Sequence, residues 1–172
     1  RREKLKNIKK PYPEKYETNY SIKEASTLED GVTNVRVAGR IVLMRKMGKM
    51  SFLTIGDIGG KIQISIKIDM VGEEKYQEFK ENFDLGDFIG VEGEVFTTHT
   101  GEKTIRANVF TFLGKALKPL PEKFHGLEDQ ETIYRNRYVD LIMNDESKEK
   151  FLLRSRLLWE IRSYLNSLGY LE

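Results

Sequence analysis

The feature that most constrains this chain is the stretch over residues 51–68, SFLTIGDIGGKIQISIKI. Its second half alternates isoleucine with polar residues at every position, which predicts a strand with one face on a core and the other in water. The isoleucines are Ile62, Ile64, Ile66 and Ile68, and the polar residues are Lys61, Gln63, Ser65 and Lys67. The glycine-rich GDIGG before them is typical of a hairpin turn. Residues 51–68 therefore predict two antiparallel strands joined by a tight loop.

The register of this hairpin follows from matching apolar with apolar residues. With residues 57–60 as the loop, Leu53 opposes Ile64, whereas a slip by one residue would set Leu53 against Gln63. In the favoured register Phe52 lies diagonal to Gln63 on the solvent face. An exposed aromatic ring beside an amide can stack a nucleic-acid base and read its edge. An isolated phenylalanine on a protein surface is the ordinary alternative.

A strand is also predicted before the hairpin, because apolar residues recur at alternate positions from Thr33 onward. One face of this strand carries Val35, Val37, Ile41 and Leu43. Gly39 stands where the next inward side chain would be, and a glycine inside a strand often marks the bend that a barrel needs. By the same alternation Arg45 shares the core parity of Leu43. It therefore reaches the solvent face only if a bulge lies between Leu43 and Met47.

The rest of the barrel is predicted from residues 73–113. Residues 73–83 form an amphipathic helix, with Tyr76, Phe79 and Phe83 at helical spacing. Strands follow over 87–97 and 103–113, and the second of them points inward with Ile105, Ala107 and Val109. The order is β-β-β-α-β-β. A mainly β fold with helices in that order predicts the five-stranded oligonucleotide/oligosaccharide-binding (OB) barrel.

Such a barrel binds its ligands across the second and third strands, between the first–second and fourth–fifth loops. Phe52 and Gln63 lie on that face, and Lys46, Lys49 and Glu102 lie in or beside those loops. Because these residues converge on the ligand-binding face, the fold favours a base-contacting role for Phe52 over an isolated surface ring.

Composition excludes several classes of protein. The 172 residues are 33% charged with a net charge of +2, so the chain as a whole is not a polycation. It has no cysteine, and His99 and His125 are far apart in the sequence, so no metal site is predicted. There is no run of membrane-spanning length and no signal peptide, so we expect a cytoplasmic protein that does not enter a membrane.

Positive charge is concentrated at the N-terminus, where a short basic helix is predicted before Pro11. The candidate phosphate contacts are Arg1, Arg2, Lys4, Lys6, Lys9 and Lys10, together with Lys46 and Lys49 near the barrel loops. Such a cluster suits contact with a polyanion, although a solvated tail is the ordinary alternative.

The character of the sequence changes after Leu113. Residues 115–128 carry two prolines and predict a linker, and residues 129–144 predict a helix. Asn144 or Asp145 then caps a last helix that ends at Gly169. Its broad apolar stripe consists of Leu153, Leu157, Leu158, Ile161, Leu165 and Leu168. The predicted divisions are therefore 1–27, 28–114, 115–128 and 129–172.

Four stretches resemble the class II lysyl-tRNA synthetases of bacterial type. They are GRIVLMRKMGKMSFLTIGDIGGKIQISI, LGDFIGVEGEVFTTHTGE, KALKPLPEKFHGLEDQETIYRNRYVDLIMN and RSRLLWEIRSYLNSLGYLE. The resemblance implies an anticodon-binding barrel that recognises the uridine-rich anticodon of lysine tRNA, followed by a hinge and the opening of a catalytic domain. By motif position, Phe52 would stack on an anticodon base, Gln63 would bond a uridine edge, and Glu102 would contact a further base. Arg45 would support a base or a phosphate.

The resemblance also implies that the last helix opens the class II motif 1, which forms a homodimer interface. The interface residues would be Leu153, Leu157, Ile161 and Leu165. The parent enzyme would use ATP and Mg²⁺ to make lysyl-adenylate and then transfer lysine to the tRNA. The residues for that chemistry are expected beyond Glu172, so no catalytic residue and no cofactor is predicted in this stretch.

Three other interpretations stay open at this point. An aspartyl- or asparaginyl-type synthetase would share the barrel plan but not this linker. A single-strand nucleic-acid-binding module would use the same stacking logic. A purely structural module would only pack its outer face on a neighbour.

Overall fold

The computed structural model describes residues 1–8, 15–121 and 129–172. The chain divides into two compact units, Arg1–Pro119 and Leu120–Glu172. The strands of the first unit are β1 (Val35–Lys46), β2 (Met50–Gly56), β3 (Lys61–Lys67), β4 (Phe88–Thr97) and β5 (Lys103–Gly114). Its helices are α1 (Arg2–Lys6), α2 (Ile22–Ala25), α3 (Ile68–Val71) and α4 (Glu73–Asn82). The second unit contains α5 (Gln130–Arg135), α6 (Arg137–Met143) and α7 (Asp145–Ser167).

The strands close into a barrel in the order β1-β2-β3-β5-β4, which confirms the predicted OB fold. β1 closes it by pairing with β4 over Val35–Arg40 and with β2 over Arg40–Lys46. Gly39 lies at this change of partner, and a Cβ there would stand 2.9 Å from Ile22 Cδ1 and 3.0 Å from the Gly56 oxygen. Glycine is needed at this corner because the neighbouring strand and α2 approach it closely.

The predicted hairpin register is confirmed. Leu53 opposes Ile64, Ile55 opposes Ile62 and Gly56 opposes Lys61. In the loop, Asp57 Oδ1 accepts hydrogen bonds from the Gly59 and Gly60 N–H groups at 2.7 and 3.0 Å. The apolar side of β2 and β3 is buried, so a slip in register would expose it.

β1 changes face at a bulge, which corrects the prediction for Leu43. The pairing with β2 shifts between Ile41 and Leu43, so Leu43 opposes Thr54 on the outer face and Met44 opposes Leu53 on the core side. Met44 packs against the core in place of Leu43. The bulge lies earlier than the predicted interval between Leu43 and Met47. The bulge still turns Arg45 to the solvent face, as a nucleic-acid contact requires, because Arg45 opposes Phe52 and is exposed.

β5 also changes face, so the inward prediction for Val109 is wrong. The pairing of β4 with β5 shifts between Glu92 and Gly93, and the strand loses its alternation at Asn108. Val109 is 44% exposed, whereas Phe112 is buried and Phe110 packs against the core. The two phenylalanines meet the aromatic side of α4, where Phe83 lies 5.5 Å from Phe110 and 5.4 Å from Phe112 between ring centroids. Aromatic packing against the helix thus determines which face of β5 turns inward.

A group of charges, of which Lys115 and Asp87 are fully buried, lies at the C-terminal end of α4. We call Arg1, Lys4, Asp84, Asp87 and Lys115 the ion cluster. Lys115 Nζ donates to Asp84 Oδ2 and Asp87 Oδ2, each at 2.7 Å, and its side chain is fully buried. Lys4 Nζ donates to Asp84 Oδ1 at 2.8 Å. The Arg1 guanidinium donates to the Leu85 and Ala116 carbonyl oxygens at 3.0 and 2.7 Å. The ion cluster therefore ties α1 and the end of β5 to the α4–β4 loop.

The N-terminal helix is shorter than predicted, because α1 ends at Lys6. Leu5 and Ile8 pack against the core and anchor it to the barrel. Lys9 and Lys10 lie outside the described residues.

In the second unit, the predicted helix over 129–144 consists of α5 and α6, separated at Asn136. The predicted cap is confirmed, since Asn144 Oδ1 accepts from the Glu146 and Ser147 N–H groups. Gly169 ends α7 as predicted. Its φ is +85°, its N–H bonds the Asn166 oxygen, and the Tyr170 N–H bonds the Leu165 oxygen. No helix of the described residues is long and apolar enough to span a bilayer.

Candidate nucleic-acid interface

A groove of about 650 Å³ runs over the outer face of the barrel. Its lining comes from the end of β1, from β2 and β3, and from the β4–β5 loop. All of the base-contacting residues predicted from the sequence line this groove: Arg45, Phe52, Gln63 and Glu102. The structure therefore brings together four side chains from β1, β2, β3 and the β4–β5 loop.

Strand pairing places the centre of this groove in a single row. Arg45 opposes Phe52, Phe52 opposes Ser65, Ser65 opposes Arg106, and Arg106 opposes Glu94. The row crosses every strand of the barrel. Because directly opposed side chains on one face lie within contact distance, the row forms a continuous surface in which the Phe52 ring is flanked by polar side chains.

Gln63 lies in the neighbouring row and is held in position. Its Nε2 donates to Thr104 Oγ1 at 2.9 Å, and Thr104 Oγ1 donates to the Glu102 carbonyl oxygen at 3.0 Å. With Nε2 oriented by Thr104, the amide oxygen of Gln63 is available to accept a hydrogen bond. The N3–H of uridine can donate to such an oxygen, whereas N3 of cytidine carries no hydrogen. The predicted diagonal placement of Phe52 beside Gln63 is confirmed, since Phe52 opposes Ser65 and Thr54 opposes Gln63.

The loop that carries Glu102 is internally bonded. The Glu102 N–H donates to Thr98 Oγ1 at 3.0 Å, the Thr98 N–H donates to the Glu102 oxygen at 3.0 Å, and Gly101 has a φ of +81°. A residue with a side chain would be strained at that φ. The Glu102 side chain is exposed, and no described residue forms an ion pair with it.

Asp30 bonds residues on both sides of this loop, at the end of β4 and at the start of β5. It accepts hydrogen bonds from Lys103 Nζ at 2.8 Å and from Thr97 Oγ1 at 2.9 Å. The bond from Lys103, followed by that from Thr97, lowers the pKa of the Asp30 carboxyl from its ordinary value. The carboxylate thus stays ionised and keeps the loop beside the groove.

The lysines predicted to contact phosphate occupy different surroundings. Lys46 turns away from the groove, and its Nζ donates to the Lys80 and Phe83 carbonyl oxygens at 2.6 and 2.8 Å. Burial, with the nearby charge of Lys4, lowers the pKa of Lys46. Lys49 is exposed in the β1–β2 loop, and no described residue bonds to its ammonium group. Lys49 is therefore the one of this pair that is open to a partner.

The N-terminal candidates also separate into two kinds. Arg1 and Lys4 belong to the ion cluster, so their polar groups are engaged within the chain. Arg2 and Lys6 are exposed. The phosphate contact predicted for each of these residues stays a prediction.

Sequence reasoning missed several residues of the groove, namely Leu43, Ser65, Phe96, His99 and Arg106. The Arg106 Cζ atom lies 4.6 Å from the centroid of the Phe96 ring. The juxtaposition of Ser65 and Arg106 was hidden because β5 pairs in parallel with β3, a neighbour that local alternation does not reveal. Leu43 was missed because the bulge in β1 turns it to the outer face. Among the described residues, no group of three or more His, Asp or Glu side chains could hold a metal ion.

The apolar stripe of α7 is uncovered within the second unit. Leu153, Leu157, Ile161 and Leu165 are 65%, 57%, 47% and 43% exposed. No residue of α7 is buried by the part of the chain that the structure describes.

Comparison with known proteins gives two concordant results. Residues 35–113 match the family described as OB-fold nucleic acid binding domain. A lysine–tRNA ligase of Lysinibacillus sphaericus is 46% identical over 177 residues, which covers 98% of this chain and 35% of that protein. A lysine–tRNA ligase of Streptococcus mutans is 51% identical over 153 residues, which covers 89% of this chain and 31% of that protein. The chain spans about a third of the length of the curated relatives it matches.

Proposed function

This chain belongs to the lysine–tRNA ligase family, and we propose that its barrel binds the anticodon stem-loop of lysine tRNA. Single-stranded loops are the part of RNA that proteins read by sequence, because their bases can be splayed onto aromatic side chains. The groove offers such an aromatic side chain in Phe52, with hydrogen-bonding groups on either side of it.

The observation that carries this proposal is the convergence of Arg45, Phe52, Gln63 and Glu102 on one groove. Phe52 stacks on an anticodon base. The Gln63 amide oxygen accepts the N3–H of a uridine, the Glu102 carboxylate accepts from a second base, and the Arg45 guanidinium supports a base or its phosphate. The Arg45 and Glu102 side chains are exposed, the Phe52 ring is half-buried on the outer face, and the Gln63 amide is already oriented by Thr104.

We assign the chemistry of the parent enzyme to residues other than those described. The parent would make lysyl-adenylate from ATP and lysine, with Mg²⁺, and then transfer lysine to the tRNA in the cytoplasm. We place no step of that reaction on the described residues. The groove residues supply recognition of the RNA.

The parent is further proposed to be a homodimer, with the apolar stripe of α7 in its interface. The exposure of Leu153, Leu157, Ile161 and Leu165 supports this, because several leucines left in water favour association. The proposed divisions are 1–27, 28–114, 115–128 and 129–172, with the last as the opening of the catalytic domain.

Binding experiments test the proposal against its alternatives. We expect the chain to bind a lysine anticodon stem-loop more tightly than an aspartate stem-loop or oligo-dT. Replacing one anticodon uridine by cytidine should weaken binding by the wild type. The Gln63→Ala variant should lose most of this uridine preference and only about 0.5–1.5 kcal/mol of affinity, because one neutral hydrogen bond is removed.

Gln77→Ala is a matched control, because Gln77 lies on α4 and bonds Glu81 outside the groove. Equal affinity for oligo-dT and for the lysine stem-loop would instead favour a general single-strand binder. Tighter binding of the aspartate stem-loop would favour the sister synthetases.

A further inference from the structure

Ser65 is a polar residue in an unusual position. It lies on the outer side of β3, between Phe52 on one neighbouring strand and Arg106 on the other, and it lines the groove. The residue is fully buried by its neighbours, and within the described ranges no hydrogen-bond partner reaches its Oγ atom. A buried hydroxyl without a partner costs free energy. Its position at the floor of a binding groove points to a partner that arrives with the ligand.

Arg106 and Phe96 form a second flat surface in the same groove. The Arg106 guanidinium lies over the Phe96 ring with its Cζ 4.6 Å from the ring centroid, and its contact with Glu94 is long, at 3.4 Å. The Arg106 side chain is 34% exposed, so it is not closed off from the groove. A guanidinium that rests on an aromatic ring by one face can receive a nucleic-acid base on the other.

The two flat surfaces are too far apart to hold a single base. Phe52 lies on β2 and Arg106 lies on β5, with β3 between them. Neighbouring strands are about 4.8 Å apart, so these two positions are separated by roughly 10 Å across the sheet. A base stacked on Phe52 would leave the Arg106 surface for the next nucleotide, with Ser65 midway between the two.

We propose that Arg106, supported by Phe96, stacks on a second nucleotide of the RNA loop, adjacent to the one on Phe52, and that Ser65 Oγ bonds the RNA between them. This inference rests on the proposed function, and it names the contacts of a neighbouring nucleotide. The site takes a single-stranded RNA dinucleotide with splayed bases. Arg106 contributes the stacking surface, Phe96 holds it flat, and Ser65 supplies a hydrogen bond that forms only when RNA is bound.

Stem-loops that lack one base test the stacking role of Arg106. Each anticodon nucleotide of the lysine stem-loop is replaced in turn by an abasic nucleotide, and each RNA is titrated against wild type, Phe52→Ala and Arg106→Lys. Arg106→Lys keeps the charge and removes the flat surface. It should weaken binding of the intact loop roughly 10-fold, the size expected for one base stack. The weakening should vanish for one abasic RNA, next to the abasic RNA that abolishes the effect of Phe52→Ala.

Arg36→Lys is the matched control. Arg36 lies opposite Glu92 in the pairing of β1 with β4, and it does not line the groove. It should bind every RNA as the wild type does.

Ser65→Ala tests whether the hydroxyl bonds RNA. A purely structural role would not weaken RNA binding while leaving the stability of the protein intact. The variant should bind the intact stem-loop about 3- to 10-fold more weakly, which is the size of one neutral hydrogen bond. Its thermal midpoint should stay the same or rise, because the free protein loses a buried hydroxyl that has no partner. Weaker binding in a protein that is at least as stable would place the effect in the complex.

The outcomes separate this inference from the proposed function. If the wild type shows no preference for the lysine stem-loop, both fail. If Phe52→Ala couples to one abasic position while Arg106→Lys weakens all RNAs equally or none, only the second stacking surface is overturned. If Ser65→Ala binds as tightly as the wild type, the hydrogen bond from Ser65 is overturned.

Discussion

The groove and the ion cluster use charged residues in opposite ways. In the ion cluster, the Lys115 and Asp87 side chains are fully buried, and the hydrogen bonds that Lys115, Lys4 and Arg1 donate within the chain are 2.5 to 3.0 Å long. On the groove, the Arg45 guanidinium and the Glu102 carboxylate are exposed, and no described residue pairs with either. Buried charges without partners are strongly destabilising, whereas exposed ones cost little. The ion cluster therefore supports the fold, and the groove keeps its polar groups available for a ligand.

This difference predicts that stability and RNA binding can be altered separately. Substitutions in the ion cluster should change the free energy of unfolding with little effect on which base is preferred. Substitutions in the groove should do the reverse.

The largest effect is expected for Lys115→Met. This change leaves Asp87 buried without the ammonium group that neutralises it, and breaking a buried pair costs roughly 3–5 kcal/mol. Urea unfolding followed by circular dichroism measures the loss. Lys118→Met is the control, because Lys118 is exposed nearby in the same segment. A loss below about 1 kcal/mol for Lys115→Met would mean that the ion cluster does not stabilise the barrel.

Phe52→Ala should change RNA binding much more than it changes stability. Removing the ring should weaken stem-loop binding by roughly 1–3 kcal/mol, the usual contribution of one base stack. The free energy of unfolding should change much less, because Phe52 is only half-buried on the outer face. Ile58→Ala is a suitable control, since Ile58 is an exposed apolar residue at the hairpin tip. An unchanged affinity in a folded Phe52→Ala protein would contradict the stacking role.

The hairpin of β2 and β3 could be predicted from the sequence because β3 alternates strictly between isoleucine and polar residues. One register matches its isoleucines with Leu53 and Ile55 of β2, and that register is the observed one. The alternation fails over Ile41–Met44, where four successive residues are apolar and the pattern carries no information about faces. The bulge before Leu43 is set there by pairing with β2, which is a long-range interaction.

Within the groove, local strand pairing predicts only the contacts between residues of the β2–β3 hairpin. Phe52 and Gln63 lie on neighbouring strands of one hairpin, so their proximity follows from local pairing. Ser65 and Arg106 become neighbours only when the barrel closes and β5 pairs with β3. No period in the sequence encodes that contact. For the same reason Lys46 and Lys49 could not be distinguished before their partners were known.

A fall in pH should weaken the ion cluster through Asp84. Burial alone would raise the pKa of Asp84, but hydrogen bonds from Lys115 and Lys4, with their charges, lower it from 3.8 to about 2. A carboxyl group whose pKa falls on folding stabilises the native state above its unfolded pKa. That contribution is lost as the pH falls from about 4 to about 2. Its size is on the order of 1–2 kcal/mol, reduced because the Asp84 side chain is 21% exposed.

Urea unfolding over this pH range, for wild type and Asp84→Asn, measures the contribution of Asp84. The variant should be less stable near neutral pH, and the difference between the two proteins should shrink toward pH 2. Subtracting the two curves removes the other carboxylates, such as Asp30 and Asp129, from the comparison. A constant difference across the range would contradict the linkage.

The smallest expected effect is on the salt dependence of RNA binding, and it compares two lysines where β1 turns into β2. Lys49 is exposed in the β1–β2 loop, while Lys46 donates to two carbonyl oxygens at the end of α4. A lysine that meets an RNA phosphate displaces condensed counterions, so Lys49→Ala should reduce the slope of log affinity against log salt by about 0.7. Lys46→Ala should leave that slope unchanged and lower the thermal midpoint, because it removes hydrogen bonds within the barrel. Titrations at several salt concentrations, alongside thermal unfolding, measure both. A reduced slope for Lys46→Ala with unchanged stability would mean that Lys46 leaves its carbonyl partners to meet the RNA, and the division between the two regions would then fail at this residue.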